Sequence, residues 1–201
     1  MLTQLSTLKT RLAIDQFDLQ YDAILTNAIK AVSAQFDKQC NRTLARTVGR
    51  TEEFPGDETE IRPACYPIEA VTKFELKSNE TEGWIEQTNV DFLIRRACVI
   101  SLAFSFARLN SQLSTINLPQ ARVTYTGGYV MPGTTPGSGQ TALPDDLEQS
   151  AVEQAAYWFQ NRDKLGLIRN RPDKGTYQQF AQIDLLLNVQ TMLQKYERWM
   201  M

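Results

Sequence analysis

Leu5, Leu8 and Leu12 recur at i, i+3 and i+7, which predicts a short amphipathic helix over residues 3–13. Residues 15–22 read as a polar connection. Leu25, Ile29, Val32 and Phe36 then form one apolar stripe, with Lys30, Gln35 and Lys38 on the other face, and predict a longer helix over residues 22–39. Asn41 suits a left-handed residue just past that helix, since Asn tolerates the conformation better than most side chains. From residue 46 to 129 the period shortens. Residues 46–54 run to a Pro55-Gly56 turn signal, and two prolines over 60–68 favour an edge or extended segment. Val71, Phe74 and Leu76 alternate with polar residues over 70–77, with one slip of register. A polar turn over 78–83 follows, and residues 92–94, 99–106 and 121–126 complete a set of short strands.

Val123 and Tyr125 alternate with Thr124 and Thr126 up to Gly127-Gly128, where positive φ would permit a sharp turn. A Pro/Gly/Ser loop over 131–141 leads into a helix expected over 145–165. Pro144 and the acids Asp145 and Asp146 suit its exposed N–H groups and its dipole. Leu147, Ala151, Ala155 and Trp158 share a face there, and the small alanines would let another helix approach closely. Trp158 and Phe159 are expected in the core. The last helix is expected over 176–199, with Leu186, Val189, Leu193 and Tyr196 at a 3-4-3 spacing.

The expected class is therefore α+β. A helical core is built from both chain ends, residues 1–45 and 131–201, and a β-rich insertion holding a small antiparallel sheet occupies residues 46–130. With 201 residues, 42% of them hydrophobic and 22% charged, the chain has length for one domain or one domain carrying a large insertion. No apolar run nears the roughly 20 residues that span a bilayer, so no membrane partner is expected. The first residues read as a helix start and not as a signal peptide.

Candidate chemistry is sparse. The chain has no histidine, which removes the commonest general base and the commonest metal ligand. Cys40, Cys65 and Cys98 are odd in number and far apart, as expected for reduced, apolar thiols. Glu52, Glu53, Asp57, Glu58 and Glu60 match no calcium loop and read as a solvated turn. The glycines of residues 133–139 lack the Lys and Ser/Thr of a P-loop. Arg162, Lys164, Arg169, Arg171 and Lys174 lack interleaved aromatics and read as a solvated loop, with an electrostatic contact to a partner next. No catalytic residue, cofactor or metal is expected. A formal net charge of −2 argues against a protein that grips nucleic acid by bulk electrostatics.

Seven pieces, taken in order, carry a resemblance. They are residues 5–14, residues 22–36, Cys-Asn-Arg-Thr-Leu at 40–44, Tyr-Pro-Ile-Glu-Ala-Val at 66–71, Val-Thr-Tyr-Thr-Gly-Gly-Tyr at 123–129, residues 143–152 and residues 185–198. Each is common alone, but their order and spacing span nearly the whole chain. The chain resembles the head–tail connector (adaptor) proteins of tailed bacteriophages and phage-like particles, in the larger variant with a β insertion. It departs from them at the end, reading Tyr-Glu-Arg-Trp-Met-Met where similar proteins often read Tyr-Arg-Arg.

The resemblance implies a ring homo-oligomer, usually a dodecamer, beneath the portal vertex. Its implied partners are the portal protein and neck or tail-completion proteins, with packaged DNA passing through without specific binding. The implied location is the virion neck, after assembly in the host cytoplasm. The family grips the portal largely through its C-terminal region, which here directs attention to Leu193, Tyr196, Arg198, Trp199, Met200 and Met201. Ala151 and Ala155 are the expected subunit interface. Two other functions remain open: another neck or tail-completion protein, and a DNA-packaging factor or enzyme.

Overall fold

The computed structural model describes residues 1–77, 79–105, 120–163, 165 and 184–198. Four α-helices and antiparallel sheets among these residues give an α+β fold. The chain divides into two compact units. One takes Met1–Arg42, Met131–Thr135 and the described part of Ala142–Trp199; the other takes the described part of Thr43–Val130 and Pro136–Thr141.

The first unit is helical. Helix α1 spans Leu5–Arg11, α2 Asp22–Gln39, α3 Asp145–Gln160 and α4 Leu187–Leu193. The α2 stripe of Leu25, Ile29, Val32 and Phe36 is buried as its spacing predicts. The helix ends in a Schellman turn: Asn41 is left-handed at φ 50°, Arg42 N–H donates to the Asp37 carbonyl and Asn41 N–H to that of Lys38. Helix α3 packs against α1, α2 and α4. It stops at Gln160, five residues before the expected end, and Asn161 Nδ2 donates back to the Tyr157 carbonyl. Trp158 and Phe159, on its last turn, are half-buried and not core.

The C-terminal helix is also shorter than its periodicity predicts. Leu186 is extended at φ −57°, ψ 144°, and its N–H donates to Oε1 of the buried Gln154. Helix α4 begins after it and passes into a 3-10 turn over Gln194–Tyr196. The helix buries Val189 and Leu193, Leu185 just before it is buried too, and Leu186 and Tyr196 are half-buried. Residues 176–183 of the expected helix lie outside the described residues.

Among the described residues the second unit holds a four-stranded and a three-stranded antiparallel sheet. In the larger, β1 (Thr47–Pro55) and β3 (Ile68–Lys77) flank β7 (Gln120–Gly127), and β4 (Ile85–Glu86) extends β3. In the smaller, β6 (Val99–Leu102) lies between β2 (Glu60–Ile61) and β5 (Phe92–Arg95). The proline-flanked β2 is an edge strand, as its composition predicts. Strand β6 ends at Leu102, earlier than expected. The β3–β7 register shifts twice, between Ile68 and Ala70 and between Val71 and Lys73, where the sequence shows one slip. Two-residue strands β8 (Tyr129–Val130) and β9 (Thr141–Ala142) follow. Ala121, Val123 and Tyr125 of β7 enter a core with Phe54, Phe74, Leu76 and Ile100, while Arg122 and Thr124 take the other face. This is the period-two pattern of a sheet buried on one side.

Candidate interaction surfaces

Several ionisable groups of the β unit are joined in structural networks. Glu52 accepts the Tyr125 hydroxyl at 2.5 Å, the Ala64 N–H at 2.9 Å and the Arg50 guanidinium at 2.6 Å. Burial, and then the Glu52 carboxylate, push the Tyr125 phenol far above its ordinary range, so it stays a neutral donor. Glu60 pairs with Arg95, Glu53 lies exposed on β1, and Asp57 and Glu58 lie exposed in the turn, which accounts for the acidic run. Among the described residues no three His, Cys, Asp or Glu side chains are grouped to hold a metal ion.

On the outer face of the large sheet, Arg122 meets Glu75 through Nε–Oε2 at 2.6 Å and Nη2–Oε1 at 3.0 Å. Lys73 bridges Glu75 and Glu86 at 2.9 and 3.4 Å, and the Trp84 ring stacks 4.4 Å from the guanidinium carbon. Hydrogen bonding to Arg122, aided by Lys73, holds the Glu75 carboxyl down at about 2 against the opposing effect of burial. The same partners raise Lys73 and Arg122. Every group in the cluster is satisfied by another, which is a stabilising arrangement and not a reactive one.

The Gly-Gly junction is a backbone crossing. A Cβ at Gly127 would lie 2.6 Å from the Cys65 carbonyl oxygen and 2.8 Å from that of Pro67. Only Gly128 has positive φ, at 101°, so Gly127 is required by space and not by conformation. The buried Cys65 thiol donates to the Gly127 carbonyl at 3.1 Å. In the following loop the Gly137 N–H is taken by Gln140 Oε1 at 2.9 Å, and Pro136 before it has no N–H to offer.

The structure separates the residues expected at partner contacts. Ala151 and Ala155 are buried inside the helical unit, so their close-approach face is used within the chain and is not open to a neighbouring subunit. Leu193 is 1% exposed and its carbonyl faces the Cys40 thiol; it belongs to the core and not to a free surface. Tyr196 is half-buried and its hydroxyl donates to Asp146 Oδ1 at 2.7 Å, while Arg198 N–H donates to the Cys40 carbonyl at 2.8 Å. Trp199, Met200 and Met201 lie outside the described residues, as do Lys164, Arg169, Arg171 and Lys174. Arg162 sits 4.7 Å from the Phe159 ring.

Two exposed apolar features were not anticipated. Phe17 is 91% exposed and Leu19 72% exposed, on the connection between α1 and α2. Lys9, itself 2% exposed, holds that connection: its Nζ donates to the carbonyls of Gln16 at 3.1 Å and Asp18 at 2.8 Å and pairs with Asp22 at 2.5 Å. Two ammonium donors go to loop carbonyls and the charge is paired with Asp22, so the loop backbone is held while both apolar side chains lie exposed. The second feature is a shallow, mostly apolar hollow on α4, lined by Leu187, Asn188, Thr191, Met192 and Lys195, with Leu187 78% exposed. The only sequence signal for the loop was Phe17 and Leu19 two apart in a polar setting, without helical partners.

No helix among the described residues is long and apolar enough to cross a membrane. No protein-family model matches the chain, and no curated protein matches it in sequence. Its fold is similar to that of a chain in the neck of an empty gene transfer agent particle computed with C6 symmetry. That match has a TM-score of 0.56 and 15% identity and covers 98% of this chain and 89% of the other. A chain in the virion of the native gene transfer agent particle is similar at a TM-score of 0.52, with the same identity and coverage.

Proposed function

We propose that the chain is a structural protein of the neck of a tailed phage or phage-derived particle. Within the neck it serves as the head–tail adaptor, a ring beneath the portal that carries the next neck or tail proteins. The observation that carries this reading is the extent of the fold likeness, which takes in nearly all of both chains, helical and β parts together, and is not confined to a common helix pair. The ordered sequence pieces point the same way.

The physical chemistry fits a passive ring. A subunit with a net charge of −2 would let a DNA duplex pass without gripping it. A particle treated with sixfold symmetry accommodates a twelve-subunit ring. We propose no catalytic role, because the buried ionisable groups described above are held by structural partners and the chain has no histidine. For the portal contact we retain Tyr196, Arg198, Trp199, Met200 and Met201, the last three on sequence grounds, and set aside Leu193 as core.

The test is retention of the purified chain by DNA-filled, portal-bearing heads that lack it, followed by sedimentation. The adaptor reading expects saturable co-sedimentation with heads at about one ring per portal. A chain that stays in the supernatant and binds isolated tails instead would be a tail-completion protein. A chain that binds neither would not be a neck protein.

A further inference from the structure

We propose that successive copies of this chain meet head to tail through the α1–α2 connection of one copy and the α4 hollow of the next. Phe17 enters between Leu187, Thr191 and Met192, and the loop carboxylates face Lys195. The inference rests on the reading of the chain as a ring subunit and names the surface that would build the ring.

The loop is made to present its apolar side chains. Asp15 Oδ1 accepts the Phe17 N–H at 2.8 Å and Asp18 Oδ1 accepts the Gln20 N–H at 2.9 Å, two Asx turns in succession. Lys9 fixes the carbonyls of Gln16 and Asp18 from the inside. A loop that only connected two helices would not need a buried lysine to keep a phenylalanine in water. Pre-organisation of this kind lowers the ordering cost of binding.

The hollow is complementary in character and in sign. It is mostly apolar, with one ammonium at its rim from the exposed Lys195. The loop brings Asp15 and Asp18, each with one carboxylate oxygen committed to a backbone N–H and the other oxygen turned away from that bond. The acidic, aromatic knob is attracted to the Lys195 end of the apolar hollow, while the other end, where Asn188 donates to the Glu153 carboxylate at 3.1 Å, carries no positive charge.

Placement gives the contact its polarity. The Tyr21 ring meets Phe159 edge-on at 5.4 Å, which puts the loop's end at the C-terminal end of α3. Leu186 bonds Gln154 and Tyr196 bonds Asp146, which puts α4 alongside the N-terminal and middle turns of α3. Knob and hollow therefore lie toward opposite ends of one helix. A contact between two different patches is heterologous, and repetition produces a closed ring or a filament, not a two-fold dimer.

The test uses the full chain carrying C98S, with Phe17→Cys and Met192→Cys combined, oxidised at about 100 µM. The expected result is a ladder of dimers and higher species that neither single variant gives. A monomer-only product, whether unlinked or linked within one chain, overturns the contact. As a second measurement, Asp15→Asn with Asp18→Asn preserves both Asx turns, and Lys195→Gln removes the opposing charge. Each should weaken self-association roughly tenfold, and the triple variant should be no weaker than either. Additive losses, or none, contradict the charge pairing. Unfolding midpoints equal to wild type confirm that these exposed changes leave the fold intact. Heads that capture a chain giving no ladder would overturn this contact and keep the neck reading; a ladder without capture would do the reverse.

Discussion

Arg122 and Glu75 face each other across β7 and β3 as a two-point pair, 2.6 and 3.0 Å, with Glu75 almost wholly withdrawn from solvent. Because this pairing holds the folded-state carboxyl at about 2, below its ordinary 4.5, the folded protein binds fewer protons than the unfolded chain between those values. The stabilisation from Glu75 is thus complete above about pH 4.5 and is lost as pH falls toward 2. Urea midpoints for wild type should fall steeply over this window. E75Q should start lower at pH 7 and show a flatter slope below pH 4.5. Parallel slopes for the two proteins would contradict the assignment.

Gly127 offers a harder test of the backbone crossing. Gly127→Ala would drive a methyl into two backbone carbonyls, neither able to rotate away, and should cost about 3 kcal/mol, at the upper end for overpacking. Gly137→Ala meets only the flexible Gln140 side chain at 3.4 Å and should stay within about 0.5 kcal/mol. Chemical denaturation of both variants decides it, and equal stabilities would refute the crossing.

The thiols should differ in reactivity. Burial pushes Cys40 up to about 11, and Cys65 is buried with its sulfur committed to carbonyls of Gly127 and Ala45. Cys98 is half-exposed. A thiol reagent at neutral pH should label Cys98 in the native protein well before the other two, by peptide mass mapping. Fast labelling of Cys40 would contradict its burial at the end of α2 against the Leu193 carbonyl.

The C-terminal end supplies the fourth prediction. Val189 and Leu193 are buried, and Tyr196 is bonded to Asp146, so α4 has anchors that do not involve residues 199–201. Deleting Trp199, Met200 and Met201 should leave cooperative unfolding intact and weaken binding to portal-bearing heads at least tenfold, since each large apolar side chain buried contributes about 1.5–3 kcal/mol. Unchanged binding would remove these residues from the contact. Lost cooperativity would assign them to the core.

The legible parts of this fold were those governed by local periodicity. The α2 stripe, the left-handed Asn41, the buried alternation of Val123 and Tyr125 and the edge character of β2 all follow from neighbours in sequence. What could not be read depended on distant partners. Leu186 fits a continuous helical stripe, yet its N–H is taken by Gln154, thirty-two positions earlier, and the helix starts after it. Ala151 and Ala155 announce a close approach, but composition does not say whether the approaching helix belongs to the same chain. Lys9 gives no sign of burial in its own neighbours; it is buried because the loop carbonyls of Gln16 and Asp18 and the Asp22 carboxylate at the start of α2 converge on it. The candidate surface was hidden for the same reason, since Phe17 and Leu19 in a polar run carry no periodic signal.

The most direct test of the central claim is head–tail joining in extracts. Particles made without this chain should accumulate as DNA-filled heads and separate tails. Adding the purified chain should restore tailed particles by electron microscopy, with the added protein located at the neck. Tailed particles forming equally well without it would contradict the account.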